Sequence, residues 1–397
     1  MNFYTKIIIV FLLICTTISC KKDSLEANYT SNVQGNSDDA VASLQSINKD
    51  NGELNVVELP TSVDSKIRST FKWYTQVTAP NGRRIHMLAQ ANWTIEQVAY
   101  TRTVLEHYLS NDNSIVYGNK DAITNNIANQ NGAMTMFNNA NSVSNNNSGI
   151  NGQDLQADET VTIGSAEYLN QSVRNAALEE ILHFVHDLGI SAVLPEFQKE
   201  LEKATANAID NHIFIPWGGL PVADYDNELF ASYNDTYWGL TEYKTTTNNP
   251  YLFLSREAAI AGDPLTTSVL ETFLPKYFTS TVYISSNFSG IFSLNKTNNV
   301  LYTNESQYYK DVQLTGDNSS GLLGNNLNNI FTGNSGNNIL DGGEGVDTGV
   351  FLGSFSEYTI SSTSGITTIS DNISNRDGSD QLINMEKAQF SDQTINL

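Results

Sequence analysis

Between residues 324 and 350 the chain reads Gly324-Asn-Asn-Leu-Asn-Asn-Ile-Phe-Thr332, then Gly333-Asn-Ser-Gly-Asn-Asn-Ile-Leu-Asp341, then Gly342-Gly-Glu-Gly-Val-Asp-Thr-Gly-Val350. Each nine-residue unit combines a turn rich in Gly and Asn with a short strand that places an apolar side chain inward. Glycine accepts the positive φ angles that such tight turns need. Repetition at a fixed period predicts that successive turns stack on one another as a solenoid.

The three units resemble the hemolysin-type calcium-binding repeats called RTX, written G-G-x-G-x-D-x-U-x, which wind into a parallel β-roll. In that family the sixth-position Asp and the turn carbonyls bind Ca²⁺. The sixth positions here are Asn329, Asn338 and Asp347, and the resemblance implies calcium there. Asn offers a neutral oxygen where Asp offers a carboxylate, so we expect weak affinity. Gly349 stands where the family has an aliphatic residue. The alternative is a solenoid without metal, in which Asn side chains bridge the turns by hydrogen bonds.

The tail after residue 350 is similar to the segment that closes the roll in serralysin-like proteins. That resemblance covers roughly residues 315–397 and implies a folded β cap, which solenoids need at their ends. The stretches that carry it are Phe351–Ile360, Thr367–Asp371, Asp377–Leu382 and Met385–Phe390.

The N-terminus predicts export. Lys6 precedes an apolar run over residues 7–14, which is too short to span a bilayer and is typical of a secretory signal. Thr17-Ile-Ser-Cys20 resembles the lipobox cut by lipoprotein signal peptidase, so residues 1–19 would be removed and Cys20 acylated. Lys21, in place of Asp, implies an outer-membrane lipoprotein whose periplasmic or cell-surface face stays open. The alternative is a plain secretory signal in which Cys20 is incidental.

Composition limits the partners. Cleavage removes Cys15, so a lipidated Cys20 leaves no thiol for a disulfide. The formal charge of −22 and the isoelectric point near 4.4 argue against nucleic acid, because phosphate binding needs basic surfaces. An acidic surface suits a solvated exterior and divalent cations. The predicted lipid anchor makes a membrane the expected partner.

The predicted fold is α+β and multidomain. After the signal come a flexible tether over 20–70, a mostly helical domain over 71–275, a connecting β segment over 276–315, and a short parallel β-roll with its β cap over 316–397. Thr94-Ile-Glu-Gln97 has the spacing of a capping box. Helices are predicted from 95 to 109, 171 to 188, from Pro195 onward, 227 to 237 and 256 to 274, and a loop over 125–152.

The helix predicted over 171–188 carries the strongest chemical pattern. At 100° per residue Glu179, His183 and His186 fall within about 60° of one another, while apolar residues occupy the opposite side. Imidazole and carboxylate groups one turn apart are suitable metal ligands.

Glu179-Glu180-Ile-Leu-His183 resembles the zinc-metallopeptidase motif H-E-x-x-H with its first His replaced by Glu. Asn227-Glu228-Leu-Phe-Ala resembles the glutamate-bearing helix of gluzincins, including those similar to anthrax lethal factor. The resemblance implies that Glu179, His183 and Glu228 bind zinc, that Glu180 is the general base for water, and that the substrate is a peptide or protein.

Further roles stay open at this point. Tyr225 or Tyr233 would stabilise an oxyanion, and His186 could replace Glu179 as a ligand. A zinc site also requires the His183 imidazole and the Glu228 carboxylate to lie within about 5 Å of each other. Two alternatives compete with a peptidase: a non-catalytic, calcium-stabilised surface or adhesion protein, and a pseudoenzyme that binds peptide without cutting it.

Overall fold

The computed structural model describes residues 34–243 and 249–397, and the predicted signal and Cys20 lie outside these ranges. Within them the protein is α+β, with three mixed β-sheets. The helices are α1 Asp38–Val41, α2 Ser65–Thr70, α3 Ile95–Leu109, α4 Asp121–Asn129, α5 Ala140–Ser144, α6 Ala166–Leu169, α7 Ala177–Val185, α8 Ser191–Val193, α9 Pro195–Asp210, α10 Tyr225–Tyr237, α11 Arg256–Gly262, α12 Pro264–Leu270 and α13 Thr303–Ser306.

The first sheet was not predicted; four of its strands lie within the domain over 71–275, whose regular structure is otherwise helical, as expected. It has five strands in the order β1-β2-β3-β4-β5, antiparallel as far as β3 and parallel from β3 to β5. The strands are β1 Val57–Glu58, β2 Trp73–Thr78, β3 Arg84–Ala89, β4 Ala133–Phe137 and β5 Gln153–Gln156. Strand β5 lies at one edge of this sheet, beside α7.

The sequence contained a signal for part of this sheet. Pro80-Asn81-Gly82 separates a run rich in β-branched and aromatic residues from a second run with several apolar residues, a pattern compatible with a hairpin, and Gly82 has a φ of 81°. Strand β4 was harder to predict because both of its faces are buried. Met134 packs into the main core and Phe137 into a second cluster across the sheet, so the strand lacks polar alternation. The predicted loop over 125–152 contains the end of α4, all of β4 and all of α5, so only its remaining residues are loop.

Residues 34–70 are folded, contrary to their prediction as part of a flexible tether. They contain α1, α2 and β1, and Val41, Leu44 and Ile67 are buried against the first sheet. These few apolar residues are spaced among polar ones, so the composition of the segment gave no indication that it is folded. Their burial offsets the entropy of ordering the segment.

The second and third sheets form what we call the two-sheet region, residues 282–396. From β6 to β12, successive strands alternate between the two sheets, and neighbours within each sheet are parallel. The strands are β6 Val282–Ile284, β7 Ile291–Ser293, β8 Asp311–Leu314, β9 Gly321–Leu323, β10 Ile330–Thr332, β11 Ile339–Asp341, β12 Thr348–Val350, β13 Tyr358–Thr363, β14 Ile366–Asp371, β15 Ser379–Ile383, β16 Lys387–Gln389 and β17 Thr394–Asn396.

In each of the strands β9, β10 and β11 one apolar side chain is fully buried in the two-sheet region. On one sheet Leu322, Leu340 and Leu382 are in register, and each is at most 2% exposed. On the other sheet Phe331 pairs with Gly349. The space beside Gly349 is already occupied, because a Cβ there would lie 3.2 Å from Leu382 Cδ2. This packing explains the glycine at a position where an aliphatic residue was expected.

The end of the chain adds antiparallel strands to both sheets. Strands β13, β14 and β15 pair antiparallel on one sheet, and β16 and β17 on the other. One continuous hydrophobic cluster includes buried residues of the first sheet, of α3, α7 and α10, and of the two-sheet region. Two predicted helices are confirmed in detail: α3 begins with the capping box of Thr94 and Gln97, and α9 begins at Pro195.

Candidate metal centre

Helix α7 supplies two of the candidate ligands. Its apolar side, including Leu178, Ile181 and Leu182, is buried in the main core. Glu179 lies in the first turn, where a carboxylate interacts favourably with the helix dipole. His183 is one turn later, so its ring lies on the same side of the helix as Glu179. The helix begins at Ala177, six residues later than predicted.

Helix α10 brings the third candidate ligand to this position. Glu228 lies in the first turn of α10, which packs against α7. His183 Nε2 is 4.0 Å from Glu179 Oε1 and 4.0 Å from Glu228 Oε1. The expected approach of His183 and Glu228 to within about 5 Å is therefore confirmed. His183 is 2% exposed and Glu228 5% exposed, so both ligand groups are withdrawn from bulk solvent.

The three residues form a group that could hold a metal ion. One ligand atom from each of Glu179, His183 and Glu228 lies within 4.8 Å of the other two. Bonds of about 2.0–2.1 Å in tetrahedral geometry need ligand atoms about 3.3 Å apart. On binding an ion, a pair 4.0 Å apart would thus shorten by about 0.7 Å and a pair 4.8 Å apart by about 1.5 Å. One nitrogen and two carboxylate oxygens suit several divalent metals, so the ligand set alone does not name the ion.

Arg174 is a member of this site that the sequence did not reveal. Its guanidinium forms an ion pair with Glu179 Oε2, while Glu179 Oε1 faces His183. Arg174 lies within the helix predicted over 171–188, where a residue five positions before Glu179 would fall about 140° away from it, but the observed α7 begins only at Ala177. Its positive charge offsets the negative charge that Glu179 adds in place of a neutral imidazole.

Glu180 faces the edge of the first sheet. Its Oε2 accepts a 2.7 Å hydrogen bond from Gln153 Nε2, on β5. Burial raises the pKa of Glu180 well above its usual range, and the nearby carboxylates of Glu159 and Asp154 raise it further. Without a bound cation this raised pKa favours the protonated form of the Glu180 carboxyl. It lies outside the group of three ligands, as its predicted role requires.

His186 does not join the ligand group, contrary to the helical-wheel expectation. The regular helix ends at Val185, and residues His186–Ile190 form a π-helical turn. The His186 ring is directed to Gln198 on α9, with Nε2 2.8 Å from Gln198 Oε1. The wheel assumed 100° per residue through His186, and the wider turn breaks that assumption.

The two tyrosines proposed for an oxyanion differ in position. The Tyr233 hydroxyl donates a 3.0 Å hydrogen bond to Thr267 Oγ1 on α12, and the residue is fully buried. This bond directs the hydroxyl to α12, and a residue five positions after Glu228 lies about 140° away around α10, which disfavours the predicted oxyanion role. Tyr225 is half-buried at the first residue of α10, three residues before Glu228.

The sixth-position side chains of the repeats are buried between turns. The Asn329 and Asn338 amide oxygens accept the backbone N–H groups of Asn325 and Asn334, at 3.1 and 2.8 Å. Asp347 Oδ1 accepts the N–H of Asn329 at 2.6 Å. Burial raises the pKa of Asp347 to about 6. The two asparagine oxygens thus close their own turns, whereas the Asp347 bond joins two turns, as expected of a solenoid without metal.

Comparison with known proteins adds no assignment. No protein-family model matches the chain, and neither a curated protein nor a solved structure matches it significantly. In the part of the chain that the structure describes, no helix is both long enough and apolar enough to cross a membrane.

Proposed function

We propose that this protein is an extracytoplasmic, gluzincin-like zinc protein that acts on peptides. The observation that supports the proposal is the approach of Glu228, from α10, to the Glu179–His183 pair of α7. Three protein ligands leave a fourth tetrahedral position open, as in catalytic rather than structural zinc sites.

The surrounding residues have roles that follow from their positions. Zinc supplies a Lewis acid that polarises a carbonyl and acidifies water. Arg174 neutralises one of the two ligand carboxylates through Glu179, which helps to preserve that acidity. Glu180 is next to a ligand, outside the ligand set, and oriented by Gln153. A divalent cation nearby lowers its raised pKa, so that Glu180 can act as general base for hydrolysis.

Metal analysis of the purified ectodomain tests this proposal. Wild type expressed with zinc is expected to retain about one zinc per chain. His183→Ala is expected to lose it, whereas His212→Ala, which removes an exposed histidine elsewhere, should retain it. Wild type without bound metal would reject the zinc proposal.

Activity separates the enzyme from the pseudoenzyme. Glu180→Gln keeps all three ligands and the contact with Gln153, so it should bind zinc but lose hydrolysis of a peptide library. Zinc-loaded wild type that cleaves no member of the library would favour peptide binding without catalysis. A protein that neither binds metal nor cleaves peptide would favour the surface or adhesion alternative.

We propose further that the two-sheet region is a parallel β-roll with one weak calcium site at Asp347. Asp347 Oδ2 is buried and has no hydrogen-bond partner among the described residues, and the Glu386 carboxylate accepts the Asp347 N–H at 2.7 Å. Calorimetric unfolding of wild type and Asp347→Asn, each with calcium and with chelator, tests the site. Calcium should raise the melting temperature of wild type alone. Equal melting temperatures for wild type with calcium and with chelator would favour the solenoid without metal.

A further inference from the structure

Asp226 and Asn227, which precede Glu228, are both connected by hydrogen bonds to the π-helical turn that follows α7. Asp226 Oδ2 accepts a hydrogen bond from Gln198 Nε2, on α9. Gln198 Oε1 is in turn 2.8 Å from His186 Nε2. We call this chain from Asp226 through Gln198 to His186 the Gln198 bridge.

The Gln198 bridge has a defined direction. A carboxylate accepts hydrogen bonds, so the Gln198 amide must present its NH₂ group to Asp226 and its oxygen to His186. His186 Nε2 therefore carries the hydrogen and donates it. His186 is 4% exposed and Asp226 9% exposed, so the bridge operates where water competes little for these bonds.

A second contact lies beside the bridge. Asn227 Nδ2 donates to Asp187 Oδ1 at 3.2 Å, and the same oxygen is 3.5 Å from His186 Nδ1. Asn227 is 3% exposed. On α10, Asp226 is thus linked to His186 through Gln198, and the next residue, Asn227, is bonded directly to Asp187.

We propose that Gln198 is a positioning residue that preorganises the metal centre by holding the first turn of α10 against the end of α7. This proposal rests on the proposed zinc function, because positioning the ligands matters only if a metal binds at the site. Glu228 follows Asp226 and Asn227 directly, and His183 precedes the π-helical turn by three residues. The contacts on both sides therefore set the distance between His183 Nε2 and Glu228 Oε1. Residues that orient ligands in this way typically change metal affinity by 10–100-fold when they are lost.

Metal affinity tests the Gln198 bridge. Gln198→Met has a similar volume but neither hydrogen bond, so it should weaken zinc binding by about 10–100-fold in competition with a chelator. Lys199→Met changes an exposed neighbour on the same helix and should bind as wild type does. Asp226→Ala should weaken binding as Gln198→Met does, and Asp226→Asn should recover most of the loss because its amide oxygen still accepts from Gln198. The visible spectrum of bound Co²⁺ should change in Gln198→Met if ligand geometry is disturbed.

Hydrogen exchange on the metal-free protein tests the same contacts without zinc. Amides in the first turn of α10 should exchange on the order of tenfold faster in Gln198→Met than in wild type or Lys199→Met. Circular dichroism and melting identify a variant that fails to fold. If wild type binds no zinc, the proposed function fails and exchange alone decides the positioning role. Unchanged exchange in a folded Gln198→Met, or zinc affinity equal to wild type, would overturn the inference.

Discussion

Replacing Asp380 by Asn is expected to stabilise the protein at alkaline pH and not at acidic pH. Asp380 lies on β15 and is 1% exposed. Its Oδ1 accepts the Asn338 N–H at 2.8 Å, whereas its Oδ2 is buried and has no hydrogen-bond partner among the described residues. Burial raises the pKa of Asp380 to about 8, and the carboxylates of Asp377 and Asp371 contribute to the rise.

The sign of the pH dependence follows from this raised pKa. In the unfolded chain an aspartate ionises near pH 3.9, so between about pH 4 and pH 8 the folded protein holds a proton that the unfolded chain releases. The free energy of unfolding therefore falls as pH rises through this window and is constant above it. One pKa unit corresponds to about 1.4 kcal/mol, so a rise of about four units puts the whole effect on the order of 6 kcal/mol.

In the Asp380→Asn variant, residue 380 no longer makes the free energy of unfolding depend on pH. The amide that replaces the carboxyl cannot ionise, and it keeps an oxygen that accepts the Asn338 N–H. Asn329 and Asn338 show that an amide fits the equivalent sites, because their NH₂ groups donate to backbone carbonyls of neighbouring turns. At pH 5 we expect Asp380→Asn to be close to wild type, and at pH 8 to be more stable by several kcal/mol.

Urea unfolding at pH 5 and pH 8, with chelator present, provides the measurement. Asp317→Asn is the matched control, since Asp317 is exposed in the same region. The difference between Asp380→Asn and wild type should grow with pH, and that between Asp317→Asn and wild type should not. If Asp380→Asn were destabilised equally at both pH values, the carboxyl would be ionised in the folded protein and the reasoning refuted.

Three further outcomes are expected. Leu340→Ala should lower the free energy of unfolding by about 2–5 kcal/mol, because it empties a fully buried site. Ile339→Ala should lower it by about 1 kcal/mol or less, because Ile339 is 40% exposed. Urea titration of both variants compares the two losses. Gly349→Leu should destabilise by about 1–3 kcal/mol, because its side chain would overlap Leu382; the same titration would contradict this if stability rose. Cys20→Ala should abolish acylation and release the protein from membranes in detergent partitioning; normal membrane retention would exclude a lipid anchor at Cys20.

The predictions that succeeded were those that depend on neighbours along the chain. The capping box of Thr94 and Gln97 and the start of α9 at Pro195 are local, and both are present. Glu179 and His183 share a helix face because they are one turn apart, which any helix through both would ensure. In the first two nine-residue units the pattern likewise placed an apolar side chain inward, as Phe331 and Leu340 show.

Tertiary structure decided the features that join distant segments. Residue spacing gave no measure of the distance from His183 to Glu228, which depends on the packing of α10 against α7. His186 was predicted on the wrong side because the π-helical turn and the bond to Gln198 override the regular helical angle. Arg174 joined the site through an ion pair that no periodic pattern records. Periodicity describes which way a side chain faces on its own element, whereas a metal centre also requires several elements to be packed at fixed distances, and that packing is a property of the whole core.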